Sequence, residues 1–380
     1  MIAHSSAAQG AVPGSDCSPL ARTVQELSVE QWGWKNSVTM VGLDQRLLDA
    51  QQKVLRFARS DCPVLITGET GTGKELFAKS VYLLGPRAGK PFLRINCAQY
   101  NDGNLIASEL FGHRKGSFTG AVSDHRGIFE EANGGVVFLD EIGELTPGAQ
   151  AMLLRTLGEG EVVPVGGSCV RKVDVRVIAA TSRDLRPMVQ AGTFRADLFY
   201  RLRYLWVHVP CLRERGADWD LLARHYLEGL NARWSVRREF SPEALERLGG
   251  YHWPGNVREL RSLVDMGFHL AEGPTIRPGE FVEVLDPAAS PCTPEARPAG
   301  VDAYLERMTR GGESFWMVVH APFLDRELSR SEVRRIVALG LRQTNGSYKR
   351  LVRLLGLQQD DYLKFMDFLR HHRLKPELTA

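Results

Sequence analysis

The sequence contains no run of about 18 or more consecutive apolar residues, which excludes a membrane-spanning helix. Its start, Met1-Ile2-Ala3-His4-Ser5-Ser6, lacks the basic-then-apolar pattern of a secretory signal. Cysteine is sparse: the six at positions 17, 62, 97, 169, 211 and 292 are scattered, and no two stand in Cys-x-x-Cys spacing. A disulfide framework and a cysteine zinc site are thereby excluded, and reduced thiols in a cytoplasmic protein are expected. The chain also lacks a strong excess of either charge, with a net of only +3. That balance is uneven. Residues 329–380 hold 11 Lys/Arg against 5 Asp/Glu, so the rest of the chain is slightly acidic. A basic tail on such a body points toward nucleic acid; a solvated helix face is the alternative.

What is present is the composition of a globular protein, 43% apolar and 24% charged, in 380 residues, enough for two or three domains. Residues 1–36 are Ala/Ser/Gly/Pro-rich and read as a flexible leader, anchored near its end by Trp32 and Trp34. About 36 residues are too few for a receiver or sensor domain, so regulation is expected from a separate protein, from expression level, or not at all. From Asp44 to Ser60 the apolar spacing is helical. Five short apolar runs follow, Val64–Thr67, Phe92–Asn96, Val136–Asp140, Val175–Thr181 and Leu205–Val209, mostly separated by helical stretches. Strands alternating with helices predict an α/β fold with a parallel sheet covered on both faces, over residues 37–216. Residues 217–284 read as helical only, with Ser241-Pro242 as a helix start. Residues 285–300 hold four prolines and read as a linker. Residues 301–380 read as a small all-α domain, with Ser329 and Glu332 as a capping box.

The chemistry concentrates in three segments. Gly68-Glu69-Thr70-Gly71-Thr72-Gly73-Lys74 follows an apolar strand and opens a helix at Lys74. That context defines a phosphate-binding loop, with backbone N–H groups aimed at the phosphates and Lys74 reaching the terminal ones. Glu75 stands where Ser or Thr commonly holds magnesium, which leaves Thr72 or water to complete the metal shell. Val136-Val137-Phe138-Leu139-Asp140-Glu141 is a buried strand ending in two carboxylates, at the strand end where α/β sheets bind ligands. Asp140 suits Mg2+, through water, and Glu141 suits polarising the water that attacks a γ-phosphate. Between the two lies Gly116-Ser117-Phe118-Thr119-Gly120-Ala121, directly after Arg114-Lys115. Glycines free the backbone and pack nothing, so a Phe-Thr tip between them suits a mobile loop that presents a side chain. A surface turn with Phe118 tucked into its own domain is the bland alternative.

Together these segments resemble the AAA+ ATPase domain of bacterial enhancer-binding proteins, the activators of sigma-54 RNA polymerase. The resemblance runs from about Val38 to Glu272. It implies an AAA+ P-loop sheet with a helical lid, an ATPase activity, ATP and Mg2+ as ligands, and assembly as a ring-shaped homo-oligomer, a hexamer. Glu after the P-loop lysine is usual in that family, and Ser108–His113 and Gly116–Ala121 match its hallmark segment, in which Ser117 is commonly Ala. By resemblance, Phe118 and Thr119 touch sigma-54. Asn96 matches the switch residue that pairs with the catalytic glutamate, and Thr181-Ser182 the first sensor, commonly Thr-Asn. Arg195 and Arg201 match the arginines given to a neighbour's ATP; pairing with surface acids is their structural alternative. Arg258, in Trp253-Pro254-Gly255-Asn256-Val257-Arg258, matches the second sensor, and Leu212-Arg213-Glu214-Arg215 the link to the lid, with Cys211 where proline is common.

In the tail, Gly346–Leu357 looks like the first helix and turn of a Fis-type helix-turn-helix, with a second helix from about Gln358 placed for the major groove. Lys349, Arg350, Arg353 and Lys364 are the candidate DNA-backbone contacts, whereas Asp360 and Asp361 oppose phosphates or favour the helix N-terminus. A helical dimerisation domain is the alternative. The leading reading is an ATP-driven, sigma-54-dependent transcription activator bound to enhancer DNA. A DNA-binding regulator that uses ATP only for assembly, without sigma-54 contact, is the second. Degenerate strand-end acids or a lost loop would favour it, and the chain has neither.

Overall fold

The computed structural model describes residues 16–100, 103–118, 121–281, 304, 307–309, 314–320, 323, 330–344, 347–357, 361–371 and 374. The chain divides into two compact units, Met1–Leu285 and Asp286–Ala380.

The first unit is built on five parallel strands: β1 (Val64–Thr67), β2 (Phe92–Asn96), β3 (Val136–Asp140), β6 (Arg176–Thr181) and β7 (Leu205–His208), in the order β2-β3-β6-β1-β7. A hairpin of β4 (Glu161–Val162) and β5 (Arg171–Lys172) lies between β3 and β6 in sequence. The strands read as continuous apolar runs because both sheet faces are covered. Alternation sorts them. Leu65, Val137, Leu139, Val177 and Ala179 face one core with Leu110, Phe111, Leu153 and Leu198. Val64, Ile66, Phe138, Ile178 and Ala180 face the other with Val54, Phe77 and Val81. The register aligns the strand ends: Asn96 beside Asp140, and Thr67 between Thr181 and His208. Candidate residues far apart in sequence therefore share one edge.

Helices α1 (Pro19–Trp32), α2 (Gln45–Ala58) and α3 (Lys74–Leu83) pack on the second face. The expected flexible leader is thus, over α1, an ordered helix. Ser18 caps it by accepting from the Ala21 amide, Pro19 starts it, and Ala21, Val24 and Ser28 form its buried face. Trp32 stacks on Tyr82 at 5.8 Å, whereas Trp34 is exposed. The first face is covered by α4 (Gly103–Phe111), α5 (Ile128–Glu131), α6 (Pro147–Glu159), α7 (Leu185–Gln190) and α8 (Ala196–Leu202).

A helical layer follows: α9 (Asp218–Trp234), α10 (Pro242–Gly249) and α11 (Asn256–Leu270), with a short pairing of β8 (Glu239–Phe240) and β9 (Thr275–Ile276). Its core holds Leu222, Leu227, Leu248, Trp253, Leu260 and Phe281. As the sequence predicts, Ser241 caps α10 ahead of Pro242. The expected linker at 285–300, residues 1–15 of the leader and the capping residue Ser329 lie outside the described residues.

In the second unit, α12 (Arg330–Gln343), α13 (Tyr348–Leu354) and α14 (Tyr362–His371) enclose Ile336, Leu341, Leu351, Leu355, Phe365 and Leu369. Phe315, in a segment without a readable motif, is buried in this core and meets Phe365 edge-on at 5.0 Å. The two helices expected of the tail are present, and Gly356 turns the chain after α13 with φ +69°. Gln358, Gln359 and Asp360 lie outside the described residues.

Candidate nucleotide site and effector loop

The phosphate-binding loop leaves β1 at Thr67 and enters α3 at Lys74. Gly71 has φ +80°, and a Cβ there would collide with the Gly255 carbonyl oxygen, so only glycine fits. Gly73, at φ +98°, starts α3. Lys74 is 7% exposed, and its Nζ donates to the carbonyls of Gly68 at 3.0 Å and Glu69 at 3.3 Å. The Thr72 hydroxyl donates to the Glu69 carbonyl at 2.8 Å. Glu75 makes ion pairs with Lys79 and Arg94.

A cleft of about 290 Å³ opens beside the loop, lined by Thr70, Gly71, Gly73, Lys74, Glu75, Asp140, Glu141 and Arg258. Tyr226 of α9 and Arg261 of α11 also line it. Sequence reasoning missed both, although Arg261 stands one helical turn after Arg258 and so shares its face. Burial pushes the Asp140 carboxyl up, and the Glu141 charge adds to it against the pull of Lys74. An acidic pair beside a cationic loop suits a magnesium–nucleotide: amides and Lys74 for phosphate, Asp140 for the metal.

Glu141 sits at φ +51°, a left-handed conformation uncommon for a side chain of its size. Its Oε2 accepts from both the amide and the hydroxyl of Ser182, each at 2.8 Å, and Oε1 lies 3.4 Å from Lys74 Nζ. Asn96 is a register neighbour of Asp140, but its Oδ1 accepts from the Ala98 amide at 2.9 Å. Among the described residues Glu141 is therefore held by Ser182 and Lys74, not by Asn96. Thr181, fully buried, accepts from the Arg183 amide at 3.0 Å. Arg195 pairs with Asp197 at 2.7 Å, the surface-acid alternative, and Arg201 donates to the Leu157 carbonyl at 3.0 Å.

The lid grips the loop from outside. Gly71 O accepts the amides of Val257 and Arg258 at the start of α11. Arg215, buried, donates to Thr72 O at 2.8 Å. Glu69 accepts from Arg213 through both oxygens and from Asn256 Nδ2 at 3.1 Å, and these bonds, Arg213 first, hold its carboxyl down at about 2. Glu69 is thus turned out of the phosphate cleft. It lines instead a second cleft of about 390 Å³, with Ser182, Arg186, Trp206 and His208.

The Gly116–Ala121 segment closes on itself: Gly116 N donates to Ala121 O at 2.8 Å, and Ala121 N to Phe118 O at 3.0 Å. Phe118 is half-buried, its ring edge-on to His113 at 5.0 Å. The base is braced by the β4–β5 hairpin through Arg114 N to Val165 O at 3.0 Å, and by an Arg114–Asp124 ion pair. Ser117 packs against Gly166, its buried hydroxyl with no hydrogen-bond partner among the described residues. Thr119 and Gly120 lie outside the described residues. In the second unit Lys349, Arg350, Arg353 and Lys364 are all exposed. Lys349 and Arg353 share a cleft with Val352 and Tyr362, and Lys364 lies 3.7 Å from Asp361.

A glycine loop, an acidic end two strands away in the same parallel sheet, and a helical lid define a P-loop NTPase of the AAA+ class. A family model described as "Sigma-54 interaction domain" matches residues 40–208, and one described as "AAA+ ATPase lid domain" matches 213–297. The DNA-binding transcriptional regulator NtrC of Azospirillum brasilense is 39% identical over 337 residues, covering 86% of this chain and 68% of that protein. The Nif-specific regulatory protein of Sinorhizobium fredii is 48% identical over 242 residues, 64% of this chain. NtrX from Brucella abortus, solved in complex with ADP, matches with TM-score 0.61 and 25% identity, over 88% of this chain and 70% of that one. The chain belongs to the family of sigma-54-dependent activators that carry the sigma-54 interaction domain. It spans 41% of the length of the Nif-specific relative.

Proposed function

We propose that the protein is an ATP-driven activator of transcription by sigma-54 RNA polymerase. The observation that carries this reading is the Phe118 loop, braced at its base and set in the chain between the phosphate-binding loop and the Asp140–Glu141 strand end. Lys74, Gly68–Glu75 and Arg258 bind the triphosphate, and Glu141 polarises the attacking water. Mg2+ held through water by Asp140 would neutralise charge on the phosphates. Subunits assemble as a ring, a hexamer, in which Arg195 and Arg201 exchange their present partners for the neighbour's nucleotide. Thr181, Ser182 and Asn96 report the nucleotide state to the loop, and Phe118 with Thr119 presses on sigma-54 to open the promoter. The exposed cations Lys349, Arg350, Arg353 and Lys364 support binding of the C-terminal unit to enhancer DNA.

The test is ATP-dependent open-complex formation on a sigma-54 promoter in vitro. Glu141→Gln is expected to bind nucleotide yet fail to hydrolyse it. Phe118→Ala is expected to hydrolyse ATP yet fail to open the promoter. Full opening by Phe118→Ala would overturn the reading.

A further inference from the structure

Glu141 is the residue on which hydrolysis depends in the reading above, and its carboxylate is already occupied. An ionised carboxylate offers about four acceptor sites, two on each oxygen. The Ser182 amide and hydroxyl take both sites on Oε2, at 2.8 Å each, and Lys74 Nζ lies 3.4 Å from Oε1. A general base acts only within hydrogen-bond reach of the proton it accepts. Two donors on one oxygen leave only Oε1 open to a water, and a cation stands beside it. The arrangement follows from the sheet. β3 and β6 are parallel neighbours with Leu139 opposite Ala179, so the residues just beyond those strands emerge side by side. Serine at position 182 is short enough to bring hydroxyl and amide to the same carboxylate oxygen.

We propose that Ser182 is a positioning residue that parks Glu141 away from the attacking water, and that Glu141 must break this restraint within the nucleotide-bound complex, as Lys74 is drawn to the γ-phosphate, before it can act. The glutamate restraint thereby rests on Ser182, while Asn96 stays bonded to Ala98. The inference rests on Glu141 as the residue that polarises water.

Steady-state ATP turnover of the full chain tests it, at protein concentrations where rate is proportional to enzyme. Ser182→Ala removes the hydroxyl bond and leaves the amide bond. A hydrogen bond to a charged acceptor is strong enough for its loss to raise kcat about tenfold, with KM changed less than about twofold. Ser182→Thr, which keeps a hydroxyl, is expected to return most of that gain. Unchanged or lowered kcat in Ser182→Ala, with fluorescent ADP still bound, would overturn the parking. If Ser182→Ala fails to bind ADP, Ser182→Cys carries the same comparison. Glu141→Gln, alone and with Ser182→Ala, separates the two layers. Turnover persisting in Glu141→Gln refutes the role of Glu141 itself. Silence in both Glu141→Gln proteins, with no gain in Ser182→Ala, refutes only the parking.

Discussion

Replacing Asn256 by alanine would cut the junction between the phosphate-binding loop and the lid. Asn256 is fully buried with φ +54°, and its Oδ1 accepts from the Leu212 amide at 2.7 Å. Its Nδ2 donates to Glu69 Oε2 and Thr70 O, both at 3.1 Å. Alanine leaves the Leu212 amide buried and unpaired, which costs about 1–3 kcal/mol. The two lost donor bonds add about 0.5–1.5 kcal/mol each, and the left-handed backbone adds about 1 kcal/mol once asparagine's short polar side chain is gone. The expected loss is therefore about 3–7 kcal/mol, a large part of the stability of an ordinary domain. Asn256→Gly relieves the backbone term alone and should fall between alanine and wild type. Urea unfolding followed by tryptophan fluorescence reads this in a Trp316→Phe background, because every other tryptophan precedes residue 282. The junction also has a pH arm. The Glu69 carboxyl is depressed to about 2 by Arg213 and then Asn256, so its contribution is complete above about pH 4.5 and fades as pH falls toward 2. Both partners are more than two-fifths exposed, so this arm contributes at most about 1 kcal/mol. An Asn256→Ala loss below about 1 kcal/mol would refute the assignment of Asn256 as the junction.

Three further substitutions probe the frame and the loop. Arg176, 2% exposed, donates to the carbonyls of Phe57 at 2.7 Å and Ala58 at 2.8 Å, closing the C-terminal end of α2. Arg176→Met keeps the hydrocarbon stem but strands those carbonyls, at a cost of about 2–4 kcal/mol; a melting temperature equal to wild type would contradict it. Ser117→Ala removes an unpartnered buried hydroxyl beside Gly166 and should stabilise the docked loop base by about 1 kcal/mol. Amide exchange at Gly116 and Ala121 should slow about fivefold, while Gly166→Ala, which drives a Cβ into Ser117, should speed it. Equal exchange in all three proteins would remove any role for that contact.

The sheet and its nucleotide cleft were legible because both are written locally. A parallel strand covered on both faces is a continuous apolar run, and the glycine loop and the Asp140–Glu141 pair each follow such a run directly. The leader was misread because α1 buries small residues, Ala21, Val24 and Ser28, whose helical spacing is faint against an Ala/Ser/Gly/Pro background. Its one local sign was Ser18-Pro19, a cap and first-turn pair. Asn256 shows a different limit. Its position in Trp253–Arg258 was legible, but its work depends on a left-handed backbone and on partners 44 and 187 residues away. Ser182 carries the point furthest. In the sequence it is only a shorter residue where asparagine is common, a loss of reach toward phosphate. The β3–β6 register converts that shortness into a bond to Glu141, 41 residues earlier, through amide and hydroxyl together. The side chain's length has meaning only once its neighbour is fixed, and the neighbour is fixed by strand pairing rather than by any local pattern.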